Sequence, residues 1–301
     1  MPIDIPMTAI LIIFYLVFAS QIYLLSIHYP SKMVRRIRYV LSNYPPDEYP
    51  KLYPEGHTLV VADREARRLT LIERYGQAVA LLGVVVLVLM LGSGYRPHQK
   101  GGDEIFVMLY FFLQAAPFLL IAFKEVQQFK RMQEGYNAAS RRTAELRPRR
   151  LFDFISPGYV LAAIVMFVLW ISFYLWQAGD PAAWGWEIYS TLVLIPGMNV
   201  AYGLLIARYL VGKRLDPYQA PADQARAIGT TIHIFVISSI MISFFLLVTE
   251  AADVYDFEVF DPPLTSFYLQ LCLVMGVGLT LRQVKIEDVD FEVYRKDAPA
   301  T

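Results

Sequence analysis

Long apolar segments without charge alternate along this chain with shorter segments that are rich in charged residues. Seven apolar segments contain no Asp, Glu, Lys or Arg and reach about the 20 residues that a helix needs to cross a bilayer. Their apolar residues run continuously, which excludes the alternating pattern of a membrane β-barrel. The pattern predicts seven transmembrane helices at about 8–27, 76–95, 105–123, 159–178, 188–207, 228–249 and 264–281.

Composition supports a membrane protein. Of the 301 residues, 56% are hydrophobic and only 18% are charged, whereas soluble domains carry about 25% charged residues. The 27 basic and 27 acidic residues balance, so nothing indicates a nucleic-acid partner. We therefore expect an all-α integral membrane protein, a bundle of seven helices that forms a single polytopic domain over residues 1–301.

The distribution of basic residues predicts the orientation. Of the 27 Lys and Arg residues, 25 lie after the first, third, fifth and seventh helices. Basic residues are retained on the cytoplasmic side, so we expect an outside N-terminus and a cytoplasmic C-terminus, in a membrane such as the bacterial inner membrane. The first helix is expected to be retained, because the residues before it include Asp4 and no basic residue, unlike a signal peptide. The predicted cytoplasmic segments are 28–75, 124–158, 208–227 and 282–301.

Two features stand out in the first cytoplasmic segment. Ser31–Leu41 can form an interfacial helix whose three arginines reach anionic lipid headgroups. Tyr44–Pro54 contains four prolines and three tyrosines, so it should be extended. It either docks into a partner protein or wraps across the bundle with its tyrosines at the membrane interface. The candidate partner-binding residues are Tyr44, Pro46, Tyr49 and Tyr53.

A small strand pair is a further hypothesis for the cytoplasmic side. His57–Val61 can be a short strand, and Val289–Tyr294 alternates apolar and acidic residues with a period of two. Two strands alone are marginally stable. The pair would therefore need the helices behind it.

Polar residues inside the membrane are candidate functional residues, because hydrocarbon offers them no hydrogen-bond partner. Gln114, Asn199 and Ser239 are predicted near the middle of their helices. They either line one polar cavity or bond separately to neighbouring helices. The same reasoning places Ser20, Gln21 and His233 nearer the cytoplasmic side and Gln270 nearer the outside.

Two prolines lie within predicted helices. Pro117 in the third and Pro196 in the fifth each remove a backbone donor. Either position can open the helix, and interrupted helices form the binding sites of many transporters.

The sequence predicts no catalytic, metal or cofactor site. No predicted span contains a carboxylate or a lysine, the only cysteine is Cys272, and the four histidines are scattered. We expect a non-catalytic membrane protein that binds a protein partner or relays a signal through its cytoplasmic segments. The alternative is an uncoupled channel or carrier for a small neutral solute, with Gln114, Asn199 and Ser239 along its path.

Overall fold

Among the residues that the structure describes, seven helical segments are long and apolar enough to cross a membrane, which confirms the predicted all-α bundle. The computed structural model describes residues 7–54, 59–95, 103–139, 149–212 and 216–296, and none of these residues lies in a β-strand. The first span consists of α1 (Met7–Gln21), the π-helical segment π1 (Ile22–His28) and α2 (Tyr29–Asn43). The next five are α3 (Leu59–Gly92), α4 (Asp103–Ala139), α5 (Pro157–Ala178), α6 (Trp186–Val211) and α7 (Pro221–Val254). The seventh consists of α8 (Asp261–Leu273), the π-helical segment π2 (Val274–Gly278) and α9 (Leu279–Gln283).

Several helices extend past the apolar segments that predicted them. α3 begins at Leu59 and α4 continues to Ala139, both on the side of the membrane that carries most of the basic residues, here called the basic side. Charged side chains pair along these extensions, as in the 2.8 Å contact between Arg67 and Asp63. Such pairs at a spacing of four residues support a helix outside hydrocarbon.

The seventh span links the first and third spans to the sixth. α8 contacts α1, α4 and α7, whereas α5 and α6 pack mainly against α7. On α6, large apolar side chains such as Val193 and Leu204 remain exposed. In a membrane these side chains face lipid, because hydrocarbon solvates them as well as a protein interior does.

Aromatic side chains fill the contact between α1, α3 and α4. Phe14 and Phe18 of α1 are fully buried, and the ring centroid of Phe18 lies 5.2 Å from that of Tyr110 in α4. The Tyr110 hydroxyl donates a hydrogen bond of 2.9 Å to the carbonyl oxygen of Val79 in α3. Tyr110 therefore packs the core and links two helices through one side chain.

α2 packs against α3. Its Val34 is fully buried beside Leu69 and Ile72 of α3. Arg38 reaches Glu73 of α3 at 3.1 Å. The predicted interfacial helix is thus the continuation of the first span, held by α3.

The two intramembrane prolines do not interrupt their helices. α4 continues through Pro117, and α6 continues through Pro196. Pro117 lacks the N–H that would bond to the carbonyl oxygen of Leu113. The Tyr75 hydroxyl of α3 donates to that oxygen instead, at 2.9 Å, so a neighbouring helix satisfies the carbonyl that the proline leaves free.

The predicted strand pair is wrong where the structure describes it. Residues 57 and 58 lie outside the described residues, but Leu59 already belongs to α3. The tail forms short 3₁₀ turns at Ile286–Asp288 and Glu292–Tyr294. Its buried residues are Phe291 and Tyr294, three positions apart. That spacing matches a 3₁₀ turn and not the two-residue period of a strand.

A glycine sets the distance between α3 and π1. A Cβ atom added to Gly76 would overlap the backbone carbonyl oxygen of Ser26, whereas one added to Gly92 in the same helix would meet nothing.

We therefore expect Gly76→Ala to reduce the free energy of unfolding by about 1–3 kcal/mol, the usual cost of overpacking. Gly92→Ala is the control. Thermal unfolding of both variants in detergent checks this, and equal midpoints for the two would contradict the close approach.

Candidate functional site: an amide network and a cap

Four buried polar side chains form a hydrogen-bonded network inside the bundle, here called the amide network: Gln21, Ser26, Gln114 and Ser266. Each is at most 3% exposed. The Gln21 Nε2 donates to Oε1 of Gln114 at 2.8 Å. Gln114 Nε2 in turn donates to the Ser26 Oγ at 2.9 Å and to the backbone oxygen of Gln21 at 3.2 Å. The Ser266 hydroxyl donates to Oε1 of Gln21.

The amide network connects three spans. Gln21 ends α1, Ser26 lies in π1, Gln114 lies in α4 and Ser266 lies in α8. A second contact between α1 and α8 lies beside it, where the Ser20 Oγ donates to Oε1 of Gln270 at 2.8 Å. Since water is absent from hydrocarbon, polar groups held this way fix which helices are neighbours.

Sequence reasoning identified part of this network. It selected Gln114, Gln21, Ser20 and Gln270 as polar residues in apolar segments. It missed Ser26 and Ser266, whose small hydroxyl groups are ordinary in membrane helices. Only the three-dimensional contact with Gln114 and Gln21 distinguishes these two serines.

Asn199 and Ser239 form a separate pair. The Ser239 Oγ donates to the Asn199 Oδ1 at 2.5 Å, between α7 and α6. The Asn199 Nδ2 donates to the carbonyl oxygen of Ile195 in its own helix at 3.0 Å. The structure thus brings together two of the three mid-membrane candidates and places Gln114 in the amide network instead.

His233 bonds within its own helix. Its Nδ1 lies 2.8 Å from the carbonyl oxygen of Gly229, so Nδ1 carries the proton in this contact. The ring packs edge-on against Tyr159 of α5, with centroids 6.0 Å apart. The ring contact with Tyr159 thus links α5 and α7.

On the basic side, three separate segments fold together into a unit here called the cap: residues 44–54, 216–220 and 286–296. The ring of Tyr44 stacks on Phe291 with centroids 4.0 Å apart. Tyr49 is buried, and its hydroxyl bonds to Oε1 of Glu292 at 3.1 Å. The segment that follows the first span is therefore held by the tail that follows the last.

Two buried aspartates bind the tail segment of the cap, Asp216 within the cap and Asp223 beside it. Asp216 accepts a 2.6 Å hydrogen bond from the Tyr294 hydroxyl and one of 2.9 Å from the backbone N–H of Tyr218. Asp223, at the start of α7, accepts from the backbone N–H of Asp290 at 2.9 Å. These bonds link the tail to the connection between α6 and α7.

The predicted extended conformation of Tyr44–Pro54 is wrong, because backbone hydrogen bonds fold this segment into turns and the short 3₁₀ helix Pro50–Leu52. Its candidate partner-binding residues make contacts within the chain. The Tyr53 hydroxyl donates to the carbonyl oxygen of Tyr44 at 2.8 Å, and Pro46 is buried like Tyr49. Eight charged side chains of the cap are exposed to solvent. Six are acidic (Asp47, Glu48, Glu287, Asp288, Asp290 and Glu292) and two are basic (Arg295 and Lys296).

Burial raises the pKa values of several ionisable side chains in the cap. Desolvation raises the pKa of Asp216 above its ordinary value, while hydrogen bonds from Tyr294 and the backbone N–H of Tyr218 oppose that rise. Burial also raises the pKa of Tyr294, and the nearby Asp216 raises it further. Burial, with a smaller contribution from Glu65, raises the pKa of Tyr53 to about 12. These tyrosines therefore remain hydrogen-bond donors at neutral pH.

The first and seventh spans connect the amide network to the cap in the same manner. π1 directly follows Gln21, and α2 leads from it to the cap. π2 follows α8, which carries Ser266, and α9 leads towards the cap. Leu25 of π1 and Leu273, next to π2, pack in one cluster. π-helical turns are rare and often occur at functional sites.

The side chains of the amide network can join helices through hydrogen bonds. Amide and hydroxyl side chains do not ionise near neutral pH, so they can hold or release a helix but not carry charge.

No model of a known protein family matches this chain, and no curated protein or solved structure shows significant similarity to it.

Gln114 makes three hydrogen bonds, so its replacement tests the amide network. Gln114→Met keeps a long unbranched side chain and removes these bonds. Interhelical bonds in membranes contribute about 0.6 kcal/mol each, so we expect a loss of about 1–2 kcal/mol in unfolding free energy. The control Asn199→Leu removes one interhelical bond. Unfolding in a denaturing detergent measures both, and an equal loss would contradict a network role for Gln114.

The stability of the cap should depend on pH through Asp216. Because its pKa is higher in the folded protein than the ordinary 3.8, protonation favours the folded cap. Stability should fall as pH rises from about 4 through the raised pKa. The Tyr294→Phe substitution removes a bond that lowers this pKa, so the fall should move to higher pH.

Hydrogen-exchange protection factors at residues 286–296, corrected for the intrinsic exchange rate, measure this effect. The pH dependence should disappear in Asp216→Asn. If the protection factors of Asp216→Asn kept the same pH dependence, a group other than Asp216 would be responsible for it.

Proposed function

We propose that this protein is a non-catalytic membrane component that binds a protein partner at the cap and relays conformational changes between the cap and the amide network. The observation that carries this proposal is the pair of connections between the two sites. The first and seventh spans each carry residues of the amide network, each include a π-helical segment, and each lead into the cap.

The π-helical segments supply a physical means of relay. A π-helical turn holds about one residue more than an α-helical turn. Conversion of π1 to α-helix would rotate the residues on one side of it by about 100° relative to those on the other. Such a rotation separates Ser26 from Gln114 or moves the start of the cap. A partner that binds one arrangement more tightly than the other shifts the population towards it.

We further propose that the basic side faces the cytoplasm of a bacterial cell, which leaves the N-terminus outside. The distribution of Lys and Arg supports this orientation. The basic extensions of α3 and α4 would then contact anionic headgroups. Because the exposed side chains of the cap are mainly acidic, its partner should present a basic surface.

The relay is favoured over an uncoupled channel or carrier. That alternative needs Gln114, Asn199 and Ser239 along one path. Gln114 is instead fully engaged with Gln21 and Ser26, while Asn199 pairs with Ser239.

Reversing the charge of two acidic residues on the cap tests whether a partner protein binds there. Asp47 and Glu48 are exposed, so their combined substitution by Lys should leave the fold intact and reduce recovery of the partner from cross-linked native membranes. The control Glu187→Lys changes an exposed residue on the opposite side. Quantitative mass spectrometry compares the recovered proteins, and an unchanged set with the cap variant would count against the partner.

The relay is tested by changing a residue of the amide network and measuring hydrogen exchange in the cap. Gln114→Met should increase hydrogen exchange at residues 44–54 and 286–296. Ser239→Ala, which breaks the pair between α6 and α7, should leave exchange there unchanged. A cap unaffected by loss of Gln114 would show that the two sites are independent.

A further inference from the structure

A groove of about 380 Å³ lies between α3 and α4 on the basic side. It is separate from both the amide network and the cap. One wall carries charged side chains of α3, and the other combines apolar and basic side chains of α4. The main lining residues are Arg64, Glu65, Arg68, Leu120, Phe123 and Lys124.

Three of the charged side chains of the groove, Glu65, Arg68 and Lys124, are held in place by contacts with one another or with the backbone. Glu65 pairs with Lys124 and lies 3.9 Å from the Arg68 guanidinium. Arg68 also donates to the carbonyl oxygen of Leu120 at 3.0 Å. The side chains of Lys124 and Arg68 are only 26% and 31% exposed. Together with Arg64, the groove contains three positive charges against one negative charge.

The groove crosses the boundary between hydrocarbon and headgroups. Lys124 is the first charged residue after the apolar segment 105–123. Leu120 and Phe123 lie just inside that boundary and are 58% and 67% exposed. A ligand that fits must therefore have an anionic group at the level of Lys124 and apolar chains beside Leu120 and Phe123.

We propose that this groove binds an anionic phospholipid. Its phosphate would lie between Arg64 and Lys124, where guanidinium and ammonium groups provide charge-assisted hydrogen bonds. Its acyl chains would cover Leu120 and Phe123. A choline headgroup, with its own positive charge, is disfavoured beside three cations.

Lipid retention measures this binding. The full chain is purified from nanodiscs of phosphatidylcholine with or without phosphatidylglycerol, and native mass spectrometry counts the retained lipids. Wild type should retain phosphatidylglycerol in preference to phosphatidylcholine. Arg64→Gln and Lys124→Gln should each lower retention about fivefold, the usual effect of one basic residue at an anionic surface.

The control is Arg67→Gln. Arg67 lies on the same helix, is 79% exposed and pairs with Asp63, so its loss should leave retention unchanged. An equal loss with Arg67→Gln and Arg64→Gln would overturn a defined site in favour of general surface charge. Because Lys124 also pairs with Glu65, the exposed Arg64 provides the variant that leaves the helix contact intact.

A competition experiment distinguishes a lipid from a soluble phosphate. Glycerol 3-phosphate shares the headgroup chemistry but lacks acyl chains. It should fail to displace the retained phosphatidylglycerol. Full displacement, or equal retention of phosphatidylcholine by wild type, would overturn the proposal.

Discussion

Hydrocarbon offers no hydrogen-bond partner to a polar group, and this constraint governs the interior of the bundle. Gln21 and Gln114 are long, flexible amides that must find partners within the protein. They find each other, Ser26 and Ser266. The bonds make the first, third and seventh spans neighbours, although Gln21 and Ser266 lie 245 positions apart in the chain.

The same constraint explains how the helices tolerate their irregular positions. Pro117 frees the carbonyl oxygen of Leu113, and Tyr75 from α3 satisfies it. Gly76 lets the same helix approach the backbone of π1. An isolated helix would kink or expose a carbonyl at such places. At Pro117 the facing helix supplies a hydroxyl group, and at Gly76 the missing side chain leaves room for the facing backbone.

The sequence predicts the helices well because seven uncharged segments have only one stable form in hydrocarbon. It also selects Gln114, Asn199 and Ser239, since a polar residue among apolar ones is conspicuous. It does not predict which of them meet, because the pairing of Asn199 with Ser239 depends on the packing of α6 on α7. The strand prediction for the tail is wrong for a related reason. Its alternating pattern resembles a strand, but Phe291 and Tyr294 pack against distant tyrosines that local periodicity does not reveal.

The stacking of Tyr44 on Phe291 joins segments almost 250 positions apart in the chain. During biosynthesis, residues 44–54 emerge from the ribosome long before residues 286–296 exist. Their tyrosines therefore lack these aromatic partners until the residues after the seventh span have been made. Closure of the cap therefore follows synthesis of the seventh span, and a chain interrupted before residue 286 would leave Tyr44 without the ring on which it stacks.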